Sequence, residues 1–201
     1  TQSFLSEETA LPAQMKTRKR SDYEVLIFDR GIKSRQTFKE LASTPFLADD
    51  PLAAGSTAFI TRVNPDVRYD VIKTLSDSSS ELKLDCLVRL YQSGAHQVDQ
   101  DFRLIVLAGN QEPIYLVTNL MEIEADQVGQ LYRRRWDIEV LFRFMKQELH
   151  LNHLLGYSAN TIQVVLYMTM IVAMMVLIYK KSNQIKGYRN ALHYFRNELE
   201  N

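Results

Sequence analysis

Hydrophobic and polar positions change their period along this chain, and each change predicts a different element. "YEVLIF", residues 23–28, is mostly apolar and stops at Asp29-Arg30-Gly31, which predicts a short buried strand ending in an acid and a turn. "SRQTFKELA" follows, with Ser34 placed to cap a helix and Phe38 and Leu41 on one helical face. From about residue 55 the period falls to two. In "ELKLDCLVRLY" the residues Leu82, Leu84, Cys86, Val88 and Leu90 point one way, while Glu81, Lys83, Asp85 and Arg89 point the other. Period two with one wet face predicts antiparallel sheet. "STAFITRV", "DFRLIVLAG" and "PIYLVTNL" read as further strands, "GNQEP" as a hairpin between the last two, and "SDSSS" as a turn-rich separator. After Asn119 the pattern becomes helical, with helices expected near 125–150, 159–181 and 188–200, Ser158 capping the second and Gly187 preceding the third.

The fold class expected is therefore α/β. Its parts are an aperiodic lead-in at 1–20, a strand and helix at 21–54, a β-rich block of four or five strands at 55–119, and a helical part at 120–201. Apolar residues at 46% and charged residues at 24% are ordinary for a globular protein, so disorder is excluded as a general description. A formal net charge of zero announces no global basic field. Charge is concentrated locally instead, in Lys16, Arg18, Lys19 and Arg20, and again in residues 132–146. The single cysteine, Cys86, excludes an internal disulfide and a cysteine-rich zinc site, and suits a reducing cytoplasm with the thiol as inert packing. Residues 162–179 are nearly all apolar, about the minimum that spans a bilayer. A central helix packed on both sides is the preferred reading of this run; a membrane span is the alternative.

The charged stretch "YRRRWDIEVLFRFMK" holds five basic side chains against two acids. On a continuous helix with Tyr132 at the origin, Arg135, Glu139 and Lys146 fall at about −60°, −20° and −40°, one stripe about 21 Å long. Ile138, Leu141, Met145 and Leu149 fall opposite, as the buried stripe. Trp136 lies at the rim, either anchoring the helix in the core or meeting a ligand. Routine i,i+4 charge pairing, such as Arg135 with Glu139, would explain this face without any function.

The spacing Tyr132-x2-Arg135-x3-Glu139-x6-Lys146, with Arg135-Trp136 and Ile138-Glu139, resembles the C-terminal signature of the insertion-sequence-four family of DDE transposases. "LVTNL", the strand-ending "FDRG" and "AFITRV" extend the resemblance over roughly residues 20 to 180. It implies a partial RNase H-like fold with an antiparallel β insertion between the second and third catalytic acids. Those acids would be Asp29 and Glu139, and both would be metal ligands. Tyr132, Arg135 and Lys146 would contact transposon-end DNA, with Arg62 of "AFITRV" a further phosphate contact. The implied cofactor is Mg²⁺ (or Mn²⁺), because carboxylates holding two divalent ions serve phosphoryl transfer. The implied partners are double-stranded DNA at terminal inverted repeats and a second copy in a synaptic homodimer, in a bacterial cytoplasm with no membrane. Arg133 and Arg134 are candidate backbone contacts or solvated charges, and Arg30 would either steady Asp29 or meet DNA.

The pattern also departs from the family. Asp22 begins the strand that Asp29 ends, and Glu7 and Glu8 follow no apolar run, so a first acid is missing from this chain. "DRGI" lacks the usual aromatic after the glycine. The expectation is the C-terminal portion of a transposase, inactive alone, with a non-catalytic DNA-binding remnant as the alternative. His150 and His153 form at best a weak i,i+3 metal pair.

Overall fold

The structure is a computed structural model that describes residues 24–43, 57–94, 96–151, 156 and 158–200, with residue 10. The lead-in at 1–20, its basic cluster, Asp22 and His153 lie outside the described residues, apart from Ala10. The chain divides into two compact units, residues 1–135 and 136–201.

The first unit is built on one six-stranded sheet in the order β1-β2-β6-β5-β4-β3. The strands are β1 (Val25–Phe28), β2 (Ala58–Val63), β3 (Tyr69–Thr74), β4 (Leu82–Ser93), β5 (His96–Leu107) and β6 (Ile114–Thr118). Helix α1 (Arg35–Ser43) connects β1 to β2, which pair in parallel with Phe28 opposite Thr61. Every other pairing is antiparallel. The fold is thus mixed α/β with a mostly antiparallel sheet. The β5–β6 hairpin falls where "GNQEP" predicts it, Leu107 pairing with Ile114. Edge strand β3 carried no clear sequence signal: Val71 and Ile72 are exposed, so the alternation that marks a half-buried strand is missing.

Both sheet faces are covered. Phe59 on β2, Phe102 and Leu104 on β5 and Val117 on β6 share one core with Phe38 and Leu41 of α1. Four rings, Phe28, Phe38, Phe59 and Phe102, meet there at centroid distances of 5.7 to 6.3 Å. The alternate residues Ile60, Ile105 and Leu116 form the second core with Val128 and Tyr132 of α2 (Ala125–Arg133). The expected wet face is therefore corrected at Asp85, which is fully buried. Helix α2 covers that face, and Arg103 neutralises the carboxylate by bidentate bonds of 2.8 Å from Nε and Nη2. Gly129 lets α2 approach closely, since a Cβ there would stand 2.6 Å from Leu107 Cδ1.

The helix expected over 125–150 is two. Arg134 interrupts it, its N–H shared between the Gln130 and Leu131 carbonyls, the three-centre tightening common at helix ends. Helix α3 (Arg135–Gln147) begins on Arg135, the last residue of the first unit.

In the second unit, Phe144 and Met145 of α3 pack with Ala173 and Val176 of α4 (Ala159–Ser182) and with Ala191 and Leu192 of α5 (Tyr188–Leu199). Ser158 caps α4 as expected, its Oγ accepting from the Thr161 N–H at 3.1 Å. Gly187, at φ 81°, takes the left-handed conformation before α5 that suits glycine. Two sequence expectations fail here. Ile138 is 52% exposed and Trp136 likewise, because the packed stripe is centred on Phe144 and Met145. Nor, within this unit, is α4 packed on both sides: only 11% of the residues in its most apolar 18-residue stretch are buried. Within this unit two amphipathic neighbours engage one stripe of a helix that is apolar all round. By length and composition α4 could cross a membrane.

Candidate active site

Asp29 follows the last residue of β1, at the carboxyl end of a parallel βαβ unit, where open α/β sheets place their ligands. Strand alternation sets its direction. Val25 and Ile27 face the core under α2, and Asp29 continues that row beyond the sheet edge. Helix α2 ends over the same spot. Tyr132 is 7% exposed, its ring in the core, and its hydroxyl donates to Asp29 Oδ1 at 3.1 Å. One residue past the break, Arg135 brings Nη2 to 3.5 Å from Asp29 Oδ2, and its guanidinium carbon lies 5.6 Å from the Tyr132 ring centroid.

These contacts decide the charge state. Burial of Asp29 would raise its pKa. The Arg30 backbone N–H, the Arg135 charge, the Tyr132 hydroxyl and the Arg62 charge outweigh that and hold it below the usual aspartate value. Tyr132 moves the other way: burial first, then the Asp29 charge, keep its phenol protonated and donating. Asp29 is thus an oriented anion. Its side chain is 45% exposed, which leaves it accessible to a cation or a polar ligand.

Four of the six sequence-predicted site residues meet here: Asp29, Tyr132 and Arg135 by contact, and Arg62 on β2 through its charge. Glu139 and Lys146 belong to the second unit, on α3, the first half-buried and the second exposed. Seven residues apart, they fall on one helical face about 10 Å along the axis. Tyr132 is corrected from a displayed side chain to a buried one, since the helix break removes it from the α3 stripe. Trp136 does not anchor a core; the Arg143 guanidinium carbon stands 5.8 Å from its ring centroid.

Hard oxygen donors suit a divalent ion, and ionised, partly exposed Asp29 fits that chemistry. The number of donors does not suffice: no group of three or more His, Cys, Asp or Glu side chains converges among the described residues. The sequence reading missed the elements that hold the site together. Asn119 of "LVTNL" accepts from the Phe59 N–H at 2.9 Å and donates to the Thr57 carbonyl at 2.8 Å, joining the end of β6 to the start of β2. Arg103 also donates to the Leu120 and Ile123 carbonyls, tying the segment before α2 to the sheet. Period-two alternation marks Arg103 only as an outward residue, so no sequence signal distinguished it.

The transposase DDE domain family model matches residues 6–175. A protein of Sinorhizobium fredii named as a transposase is 30% identical over 140 residues, which cover 67% of this chain and 39% of that protein. A Synechocystis protein named for insertion sequence element IS4SA is 32% identical over 118 residues, 55% of this chain and 33% of its own length. One from Geobacillus stearothermophilus, named for insertion sequence element IS5377, is 28% identical over 107 residues, 52% and 28% of the two chains. The chain thus spans between 28% and 39% of the curated relatives it matches. No solved structure matches it.

Proposed function

The chain belongs to the transposase DDE domain family, and from that premise we propose that it supplies part of the catalytic domain of a DNA transposase. The observation that carries this reading is Asp29 at a strand end, oriented by the tyrosine and arginine of the Tyr-x2-Arg-x3-Glu-x6-Lys spacing. The family implies an RNase H-like fold. The parallel β1-α1-β2 unit would belong to that core, and the antiparallel β3–β6 extension would be the insertion between the second and third acids.

Asp29 and Glu139 would be those acids and would hold Mg²⁺ or Mn²⁺. Two carboxylates fall short of a two-metal centre, so a further acid is required, and none converges with them among the described residues. When bound, such ions stabilise the attacking and leaving oxygens of phosphodiester transfer. The chain's own residues have separate tasks. Tyr132 and Arg135 keep Asp29 ionised and aimed. Arg62, Arg135 and Lys146 would neutralise phosphates of the transposon-end DNA. The second copy expected in a synaptic complex, a cytoplasmic location and protein rather than lipid around α4 belong to the same proposal.

The expected result is salt-dependent binding of duplex DNA by this chain, without nicking of terminal-repeat DNA in Mg²⁺. Robust nicking would show that the chain holds a complete acid set. Failure to bind duplex DNA at low salt would remove the reading altogether. A non-catalytic DNA-binding remnant is the second reading, favoured by the lack of a three-acid cluster among the described residues. Metal-dependent cleavage once a further acid is supplied in trans or by extension of the chain, lost in Glu139→Gln, separates the two.

A further inference from the structure

Within its own unit, helix α4 leaves one face without a neighbour. Its buried residues are Thr169, Ala173 and Val176, and the last two pack with α3 and α5. At 100° per residue, Val164, Tyr167, Ile171, Met174 and Ile178 fall about 180° from that stripe. They stand 3, 4, 3 and 4 residues apart, the spacing of a heptad seam that seats one helix against another. Tyr167, Met170, Ile171, Met174, Met175 and Ile178 line an open apolar hollow of about 500 Å³ on the same face. Eleven large apolar side chains of α4 are each 37–64% exposed. At roughly 200 Å² for a whole large residue, they leave about 1,000 Å² of apolar surface, more than the few hundred Å² that monomers expose in one patch.

A bilayer does not suit this face. The buried stripe lies at mid-helix, so a membrane that α4 crossed would draw α3 and α5 to its centre. Exposed Arg143, Lys146, Arg189 and Arg196 would go with them, charges that hydrocarbon rejects. A second copy of the chain fits better. It brings a seam of the same repeat, and the exposed area meets the roughly 800 Å² per partner of a stable interface. Between Ala159 and Tyr179 no side chain is charged, so no ion is desolvated where two seams meet. Lys180 and Lys181 lie at the C-terminal end alone. A parallel pair would gather all four lysines. An antiparallel pair sends them to opposite ends and opposes the two helix dipoles.

We propose that the exposed face of α4 is a self-association surface, on which α4 of a second copy lies antiparallel. A two-fold axis between positions 172 and 173 sets Ile171 against Met174, and Tyr167 against Ile178, of the other copy, a self-complementary interface. Only the use of this dimer in a synaptic complex rests on the function proposed above; its formation needs no DNA.

Sedimentation equilibrium of the whole 201-residue chain, without DNA, should show a dimer, and the urea midpoint should rise with protein concentration. Ile171→Glu puts a carboxylate in each half of the seam and should weaken association more than about 100-fold. The control Lys73→Gln, on exposed edge strand β3, should leave association unchanged. Oxidative cross-linking reads the orientation. Tyr167→Cys mixed with Ile178→Cys should cross-link, and Tyr167→Cys alone should not; Cys86 is buried and does not compete. Cross-linking of Tyr167→Cys to itself would overturn the antiparallel arrangement. A monomer at every concentration, or a dimer that Ile171→Glu leaves intact, would overturn the self-association surface. A monomer whose urea midpoint ignores concentration but falls in Ile171→Glu would show that another part of the same chain covers α4. A monomer that binds phosphatidylcholine–phosphatidylglycerol vesicles, and ceases to with Ile171→Glu, would assign the face to lipid instead. The concentration dependence of the native midpoint and the cross-links decide the matter even where Ile171→Glu fails to fold. Failure to bind duplex DNA would remove the transposase reading and leave this dimer standing.

Discussion

Replacing Arg103 with methionine should test how the site is positioned. Arg103 is 3% exposed and Asp85 is fully buried. The substitution removes both 2.8 Å bonds to the carboxylate and leaves Asp85 with the Ser76 hydroxyl, also at 2.8 Å. Breaking a buried pair from one side costs about 3–5 kcal/mol, because a charge stays buried without its partner. The loss should appear as a lower urea midpoint with the slope preserved. Asp85→Leu combined with Arg103→Met should recover much of it, since neither charge then remains. The pH dependence has a definite sign. Burial raises the Asp85 pKa, but the Arg103 and Ser76 bonds and the Arg103 charge bring it below 3.8. In the native chain Asp85 therefore contributes stability above the unfolded value, and that contribution is lost as pH falls through the folded one. Without Arg103 the burial contribution dominates and the folded pKa rises above the unfolded value. The penalty is then full near neutrality and shrinks as acid protonates the carboxyl. Amide exchange in residues 119–124 and at Tyr132 should accelerate, because Arg103 no longer ties the Leu120 and Ile123 carbonyls. A loss below about 1 kcal/mol, the range of exposed pairs, or one that grows on acidification, would refute the reasoning.

Tyr132→Phe removes the hydroxyl that favours ionised Asp29, so a carboxyl-carbon NMR titration should place the Asp29 pKa higher than in the native chain; an unchanged value would mean the 3.1 Å bond is not formed in solution. Phe38→Ala empties the centre of the four-ring cluster at a fully buried position and should cost about 3–5 kcal/mol by urea unfolding. Burial, then the Asp85 charge, pushes the Cys86 thiol up to about 11, so it should resist a disulfide-exchange reagent near neutral pH until the chain unfolds. Rapid native labelling would contradict the packed β4–β5 pair.

Much of the first unit was legible from alternation and turn chemistry. "LKLDCLVRL" could bury Cys86, Val88 and Leu90 together only as a strand, and "DRG" after "VLIF" could only end one. Phe38 and Leu41 face the core because a helix entering at Ser34 places them on one side. The same logic failed where a second layer intervened. Asp85 reads as wet in any local pattern, and only α2 and Arg103, both distant in sequence, make it buried. A helical wheel drawn through Arg134 treated two helices as one and so misplaced Tyr132. Ile138 and Trp136 have the right period for burial, but the neighbours that would cover them are not decided by period.

By itself the amino-acid order supplied the candidate site residues and marked most of the segments that form strands or helices. Side-chain type, spacing and backbone preference act over a few residues and need no partner. The tertiary structure alone decided that Asp29, Tyr132 and Arg135 meet and that Asp85 is desolvated. Those facts depend on approach between positions as many as 106 residues apart (Asp29 to Arg135). Such approach follows from which sheet face each helix covers, a competition of burial across the whole unit that no local period encodes.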